Sequence, residues 1–166
     1  HYTNEKMPGE KRNVLVESAR LARGRVKDIK DLNPNDFDGL LFPGGYGAVL
    51  NLSNFIVKQS TDFEVEPQVE SAVQAFFKSK KPICFLCVSP MIAAKLINGV
   101  KITLGNSEEP SASAIKLGAE VIKMDAHLPV VDATNKVVSS PCYMLDITIS
   151  ELYEGIFKTV QEFIKL

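Results

Sequence analysis

The sequence predicts an α/β fold in which helices cover a mostly parallel β-sheet. Two observations carry this prediction. Short, continuously apolar runs, such as residues 39–42 and 82–87, are typical of strands that are buried on both faces. These runs alternate with segments whose apolar residues recur at helical spacing, and this alternation is the signature of a parallel sheet with crossover helices.

The first half of the chain contains a capped helix, a strand and a long amphipathic helix. Asn13 is a typical N-cap residue, and the helical segment that follows it stops at Gly24. The run "DGLLFPGG" predicts a buried strand that ends in a sharp turn. After Glu66, apolar residues recur at helical spacing until residues 80–82, which predicts an amphipathic helix.

The second half continues the alternation. "PICFLC" predicts another buried strand, and "SPMIAAKLI" predicts a helix with Pro90 in its first turn, where proline is tolerated. "VKITLG" and "AEVIKM" are strand-like, and "SASAIKLG" between them is helix-like. "PVVDATNKVVSSP" places turn-forming residues between two valine pairs, which predicts a small late hairpin.

The last predicted helix has an apolar stripe, and we expect this stripe to pack on the sheet. The stripe consists of Ile149, Leu152, Tyr153, Ile156, Phe157, Val160, Phe163 and Ile164.

Composition limits the domain organisation and the partners. With 166 residues, 45% hydrophobic and 23% charged, the chain predicts a single domain over residues 1–166 with a sizeable core. The net charge of −1 gives no reason to expect nucleic acid or an anionic membrane as a partner. The apolar runs are also far shorter than the roughly 20 residues of a bilayer-spanning helix. The expected partner is a small-molecule substrate.

Cysteine usage predicts a reducing compartment. The three cysteines, Cys84, Cys87 and Cys142, are an odd number in a chain too large to depend on disulfides. The cytoplasm is the expected location, with the mitochondrial matrix as the alternative. The polar first segment has no signal-peptide pattern, and a start at His1 rather than Met suggests an N-terminally truncated chain.

The first candidate site is the glycine-rich loop after the first predicted strand. In an open parallel sheet, ligands bind at the carboxyl ends of the strands. Gly44 and Gly45 follow such an end, and their backbone N–H groups can approach a substrate oxygen closely. The same glycines are also compatible with a tight turn alone. A nucleotide-phosphate site is less favoured, because neither common phosphate-binding glycine pattern is present.

The second candidate site is Cys87, where a strand meets a helix. A side chain on such a turn stands above the sheet, and the positive end of the following helix favours a thiolate nucleophile. Cys84 lies three positions earlier, so along a strand the two thiols face opposite sides, which argues against a redox pair. A zinc site would need Cys142 and His127 at irregular spacing. We favour the nucleophile and keep the redox pair, the metal site and an inert core thiol as alternatives.

Four segments resemble one known family. They are "RNVLVESARLARG", "DGLLFPGGYGAVLNLSNF", "KPICFLCVSPMIAAKL" and "NKVVSSPCYML". Together they resemble the enhancing-lycopene-biosynthesis (ElbB-like) family, within the PfpI and class I glutamine amidotransferase-like superfamily. The resemblance implies a flavodoxin-like three-layer sandwich and a homodimer. It also implies that residues 1–166 lack the first strand-helix-strand unit of the family domain.

The resemblance implies roles for residues at the two strand ends. Cys87 is the nucleophile of a cysteine elbow, and the backbone N–H groups of Gly44, Gly45 and Val88 bind an oxyanion. The carboxylate that hydrogen-bonds the superfamily's cysteine follows the first strand, and no residue of this chain can be assigned that role.

Three further residues are expected to line the same pocket: Tyr46, Ser89 and Cys142. For Tyr46 an ordinary place in an aromatic core is the competing interpretation, and for Cys142 it is that of a small core residue. His127 is a lone histidine, for which a surface position is the favoured interpretation.

Departures from the superfamily narrow the implied chemistry. Glutamine amidotransferases need a late His, but "SSPCYMLDITIS" has none, and PfpI-type proteases have His where this chain has Val88. The remaining chemistry is of the glyoxalase III or deglycase type, in which a thiolate adds to a small reactive aldehyde, in connection with isoprenoid metabolism. The alternative is a non-catalytic sensor of metabolites or oxidation. No cofactor or metal is expected.

Overall fold

The structure is a computed structural model that describes residues 9–166. The chain divides into two compact units between Leu32 and Asn33. In the first unit, helix α1 spans Val14–Leu21, and a 3-10 turn follows at Ile29–Asp31. The Asn13 side chain accepts a hydrogen bond from the Val16 N–H at 3.0 Å, which is the N-cap that the sequence predicts.

The second unit is built around a four-stranded sheet. In residues 33–166 the strands are β1 (Leu40–Phe42), β2 (Ile83–Leu86), β3 (Lys101–Ile102), β4 (Glu120–Val121), β5 (Val130–Asp132) and β6 (Val137–Ser140). The sheet has the order β1-β2-β6-β5, and only β5 runs antiparallel to its neighbour. The predicted α/β fold with a mostly parallel sheet is confirmed.

Strands β3 and β4 form a separate parallel pair instead of extending the main sheet. β3 is shorter than predicted, and side chains of the hairpin bind backbone groups along this segment. The Lys101 N–H donates to Asp132 Oδ2 at 2.8 Å, and the Thr103 N–H donates to Ser139 Oγ at 3.0 Å. These bonds hold the small pair against the main sheet.

Helices flank these strands. In residues 33–166 they are α2 (Tyr46–Leu50), α3 (Phe55–Lys58), α4 (Pro67–Lys78), α5 (Pro90–Leu96), α6 (Glu108–Lys116) and α7 (Ile149–Phe163), with 3-10 turns at Pro34–Asp36 and Cys142–Met144. The predicted helix after Glu66 is α4, whose first turn is capped by the Glu66 carboxylate. Helices α2 and α3 were not predicted, because four or five residues show no helical period.

The core lies between the sheet and the helices, and β2 is its centre. All four β2 residues are buried, as predicted, and the Phe85 ring stacks on Phe42 with centroids 5.0 Å apart. The prediction that β1 is also buried on both faces is wrong, because Leu41 is 38% exposed. β1 is an edge strand of the sheet, and the face that carries Leu41 is less covered than the face that carries Phe42.

The late hairpin is present, and it has a larger part in the sheet than predicted. Asp132 closes it by accepting hydrogen bonds from the Asn135 backbone N–H at 3.0 Å and its side-chain amide at 2.8 Å. Strand β6 pairs with β5 on one side and with β2 on the other. The hairpin is therefore half of the main sheet and not an appendage.

Helix α7 packs on the sheet through only part of its stripe. Thr148 and Glu151 form a capping box at its start. The inner residues Leu152, Ile156 and Phe163 pack against β2 and its neighbours. The expectation that the whole stripe packs on the sheet is wrong. The stripe covers so wide an arc of the helix surface that part of it faces away when a straight helix lies on a flat sheet. More than half of each outer side chain is exposed: Ile149, Tyr153, Phe157 and Ile164.

Among residues 9–166, no helix combines the length and the apolar character needed to span a bilayer.

Candidate active site

The structure places Cys87 on a sharp turn between β2 and α5. Its backbone has φ +61°, the left-handed region that costs a residue with a β-carbon about 1–2 kcal/mol. The Cys87 N–H donates to the Ser140 carbonyl of β6 at 2.9 Å, which holds the turn against the sheet. The thiol is half-buried and borders a cavity. This combination of strain and access is typical of functional positions.

Gly44 approaches the elbow so closely that a side chain would not fit. It has φ +84°, and a β-carbon built on it would lie 2.8 Å from Cys87 Cβ and also collide with the Leu86 carbonyl. Gly45 has φ +77° but faces open space. The first glycine therefore allows the loop to pack against the cysteine, and the second allows the turn into α2.

Three backbone donors around Cys87 are free to bind a ligand. Within residues 33–166, the N–H groups of Gly44, Gly45 and Val88 donate no hydrogen bond to another protein group. All three residues line the same cavity as Cys87. Unpaired N–H groups beside a thiol are the arrangement that an oxyanion site requires.

The cavity has a volume of about 680 Å³, which lies in the range of small-molecule sites. Its walls are mostly apolar and include no Lys, Arg or His side chain. The lining residues are Pro43, Gly44, Gly45, Tyr46, Val49, Phe55, Ile56, Gln59, Cys87, Val88, Glu109, Pro110, Cys142, Tyr143, Met144, Leu152 and Ile156. A neutral, largely apolar ligand matches this lining better than an anion.

The expected pocket residues divide into two groups. Tyr46 and Cys142 line the cavity, Tyr46 as an exposed residue and Cys142 as a buried one. The expectation for Ser89 is wrong, because its hydroxyl points into the protein. Ser89 Oγ lies 2.8 Å from the Leu86 carbonyl and 3.2 Å from the Phe42 carbonyl, so it joins the ends of β1 and β2.

Two polar lining residues were missed by the sequence reasoning. Glu109 lies in the first turn of α6, and Gln59 follows α3 with φ +47°. Both are exposed, and both border the cavity that contains Cys87. No local sequence pattern links "SEEP" to Cys87. Glu109 comes to the same cavity only because α6 folds beside the sheet.

Comparison with known proteins identifies the family. No family model matches the chain. A human relative, glutamine amidotransferase-like class 1 domain-containing protein 3, mitochondrial, and the rat ES1 protein homolog, mitochondrial, are each 37% identical over 175 residues. The chain spans about 65% of the length of each.

A crystal structure from Ehrlichia chaffeensis decides the assignment. It is described as an isoprenoid biosynthesis protein with an amidotransferase-like domain. It superimposes with a TM-score of 0.87 at 33% identity, over 99% of this chain and 76% of the other. The chain belongs to the ElbB-like family of amidotransferase-like proteins. Its flavodoxin-like fold is that of this family.

The other two thiols of this ElbB-like domain are held in the neutral form. Burial, with a smaller contribution from the nearby Cys142, raises the pKa of Cys84 to about 12. Burial also raises the pKa of Cys142, although its hydrogen bonds with the Ser140 side chain and the Cys87 backbone partly offset this. Cys84 lies inside β2 and outside the cavity lining, so it does not share the access of Cys87.

The remaining candidates lie away from this site. His127 contacts two glutamates, with its Nε2 3.9 Å from Glu151 Oε1 and its Nδ1 3.5 Å from Glu154 Oε2. It does not line the ElbB-like cavity. Over the described residues 9–166, His, Cys, Asp and Glu side chains form no group of three or more that could hold a metal ion.

Proposed function

We propose that this ElbB-like domain carries out Cys87-dependent chemistry of the glyoxalase III or deglycase type on reactive aldehydes, in connection with isoprenoid metabolism. The observation that supports it is one cavity lined by Cys87 and by the free N–H groups of Gly44, Gly45 and Val88. A nucleophile and oxyanion donors around one space fit addition to a carbonyl group.

The first step is attack on the aldehyde carbon. The Cys87 thiolate forms a C–S bond, and the carbonyl π electrons move to the oxygen, which becomes an oxyanion. The N–H groups of Gly44, Gly45 and Val88 are the donors that we assign to this oxygen. Removing a single oxyanion donor typically raises a barrier by about 2.7–4 kcal/mol.

The later steps need a proton carrier. With a 2-oxoaldehyde, the hydrogen on the former aldehyde carbon leaves as a proton and the neighbouring carbon gains one. The oxyanion becomes the carbonyl group of a thioester, and the neighbouring oxygen takes the proton that the Cys87 thiol first lost, which forms a 2-hydroxy thioester on Cys87. Water then cleaves the C–S bond, releasing a 2-hydroxy acid and the free thiol. Glu109 is the carboxylate of the cavity lining, and we assign the proton transfer to it.

The lining also selects the substrate class. The lining contains no cationic side chain that could bind a phosphate or carboxylate group, and its charged side chain is that of Glu109. The volume of about 680 Å³ exceeds the needs of a three-carbon aldehyde. We therefore propose neutral aldehydes with an apolar substituent, for which phenylglyoxal is a suitable probe.

Amide hydrolysis has less support. The cavity lining contains no histidine that could take the thiol proton, and Val88 follows the cysteine directly. Both glutaminase and protease chemistry would leave the Cys87 thiol without its usual base.

For location, we propose a reducing compartment and favour the mitochondrial matrix over the cytoplasm. The human and rat relatives are named as mitochondrial proteins. The three free cysteines fit either compartment. Fractionation of cells that produce the tagged full-length protein distinguishes the two.

Turnover of phenylglyoxal to its 2-hydroxy acid tests the activity, with Cys87→Ala as the variant and Cys84→Ala as the matched control. We expect product from the wild type and the control, and none above background from Cys87→Ala. Equal rates in all three proteins contradict the proposal. If Cys87 reacts with iodoacetamide but even the wild type gives no product, the second candidate, a sensor that uses the clustered thiols, replaces it.

A further inference from the structure

We propose that Cys87 and Cys142 form a two-thiol site that reduces a hydroperoxide and ends as a Cys87–Cys142 disulfide. Cys87 is the thiol that the peroxide oxidises, and Cys142 is the thiol that resolves the oxidised form. This activity does not depend on the aldehyde chemistry, because it needs only the two sulfur atoms and access for the oxidant.

The backbone brings the two cysteines together. Leu86 of β2 pairs with Ser140 of β6, and the Cys87 N–H donates to the Ser140 carbonyl. Cys87 and Cys142 lie one and two residues beyond this pair. Neighbouring strands are about 4.8 Å apart, which is compatible with the Cα separation of about 4.4–6.8 Å in disulfides.

The side chains also belong to one cluster. Cys142 belongs to a buried cluster with Cys84 and Leu86, and Cys87 packs against this cluster. Burial is the main cause of the raised pKa of the Cys142 thiol, and two smaller contributions come from Cys87: its backbone N–H lowers this pKa and its side chain raises it. Cys142 itself has φ +46°, which turns the chain back at the start of its 3-10 turn.

The different exposure of the two thiols assigns their roles in the reaction. Cys87 is half-buried, whereas Cys142 is 5% exposed, and both border the same cavity. A peroxide that enters the cavity therefore reaches Cys87 more readily. The apolar walls favour an organic hydroperoxide over hydrogen peroxide, and cumene hydroperoxide is a suitable probe.

The reaction balances in two steps. The Cys87 thiolate attacks the outer peroxide oxygen, an S–O bond forms, the O–O bond breaks, and the alkoxide leaves as the alcohol after taking a proton. The Cys142 sulfur then attacks the Cys87 sulfur, an S–S bond forms, the S–O bond breaks, and hydroxide leaves as water with the Cys142 proton. Two electrons pass from the sulfurs to the peroxide, and a dithiol reductant such as dithiothreitol restores both thiols.

Cys84 is the internal control for this proposal. It also lies near Cys142, so a Cys84–Cys142 disulfide is the competing outcome. Cys84 is fully buried and does not line the cavity. We therefore expect it to remain a free thiol under mild oxidation.

The test treats the purified chain with one equivalent of cumene hydroperoxide, blocks free thiols with iodoacetamide and maps disulfides by tandem mass spectrometry without reduction. Fragmentation between Cys84 and Cys87 identifies the linked sulfur. The expected result is a Cys87–Cys142 disulfide in the wild type and in Cys84→Ala. In Cys142→Ala, dimedone labelling of Cys87 sulfenic acid should rise about tenfold.

Two results would overturn the proposal. One is a wild-type protein whose Cys87 carries sulfenic or sulfinic acid with no disulfide, and the other is a disulfide that joins Cys84 to Cys142. The wild-type map decides between these outcomes without any variant, so it holds even if Cys142→Ala does not fold.

Discussion

Gly44 and Cys87 are in direct contact across the ends of β1 and β2: a β-carbon on Gly44 would lie 2.8 Å from Cys87 Cβ. Both residues have positive φ, so two sharp turns face each other beside one cavity. The proposed nucleophile and the proposed oxyanion donors therefore depend on one close contact.

Gly44→Ala should destabilise the protein more than Gly45→Ala does. Both substitutions place a β-carbon at positive φ, which costs about 1–2 kcal/mol, but only that of Gly44 also collides with the elbow. We expect Gly44→Ala to lower the free energy of unfolding by at least 1 kcal/mol more than Gly45→Ala. Urea unfolding measures this difference, and equal losses in the two variants would show that the contact is not tight.

Glu109 should control which charge enters the cavity. It is the charged side chain of the lining, and Glu108 beside it does not line the cavity. We expect Glu109→Gln to raise the ratio of Cys87 alkylation by iodoacetate to that by iodoacetamide about two- to threefold at low salt. The effect should shrink at high salt, because ions screen an exposed charge.

The control for this experiment is Glu108→Gln, which removes the same charge one residue away. An unchanged ratio in Glu109→Gln, or an equal increase in Glu108→Gln, would contradict a specific role for Glu109. The readout needs no turnover, so it stands apart from the aldehyde proposal.

Asp132 should make the hairpin sensitive to acid. Burial raises the pKa of its carboxyl, but hydrogen bonds from the backbone of Lys101 and from Asn135 outweigh this and lower it overall. The stabilisation is therefore present above the unfolded-state pKa of about 3.9 and is lost as the pH falls through the lower folded-state value.

Asp132→Asn tests this linkage. At pH 7 we expect a loss of about 1–3 kcal/mol, because the Lys101 N–H and the Asn135 groups lose a charged acceptor. The gap between wild type and variant should narrow when urea unfolding is repeated below pH 4. A gap that stays constant with pH would mean that the carboxylate charge is not involved.

The sequence predicts those features that depend on neighbours along the chain. The cap at Asn13, the buried run of β2 and the turn at Asp132 each follow from a few adjacent residues. Features that depend on tertiary packing could not be predicted from the sequence. The apolar stripe of α7 does not reveal how much of it the sheet covers, and nothing in "SEEP" points Glu109 toward Cys87.

The candidate site divides in the same way. Cys87 and the glycines after β1 stand at strand ends, where topology alone brings them to one edge of the sheet. The prediction for Ser89 was wrong because the sequence shows only that Ser89 lies on the elbow. The direction of its hydroxyl depends on the Phe42 carbonyl, which belongs to another strand.

The central claim, that Cys87 is the nucleophile that attacks the aldehyde, is tested most directly by an acid-quenched single turnover. Enzyme in excess is mixed with phenylglyoxal, quenched, digested and examined by mass spectrometry for a 2-hydroxy thioester. The account predicts this adduct on Cys87 and its absence from Cys87→Ala. Product that forms without any adduct on Cys87, and at the same rate in Cys87→Ala, would contradict it.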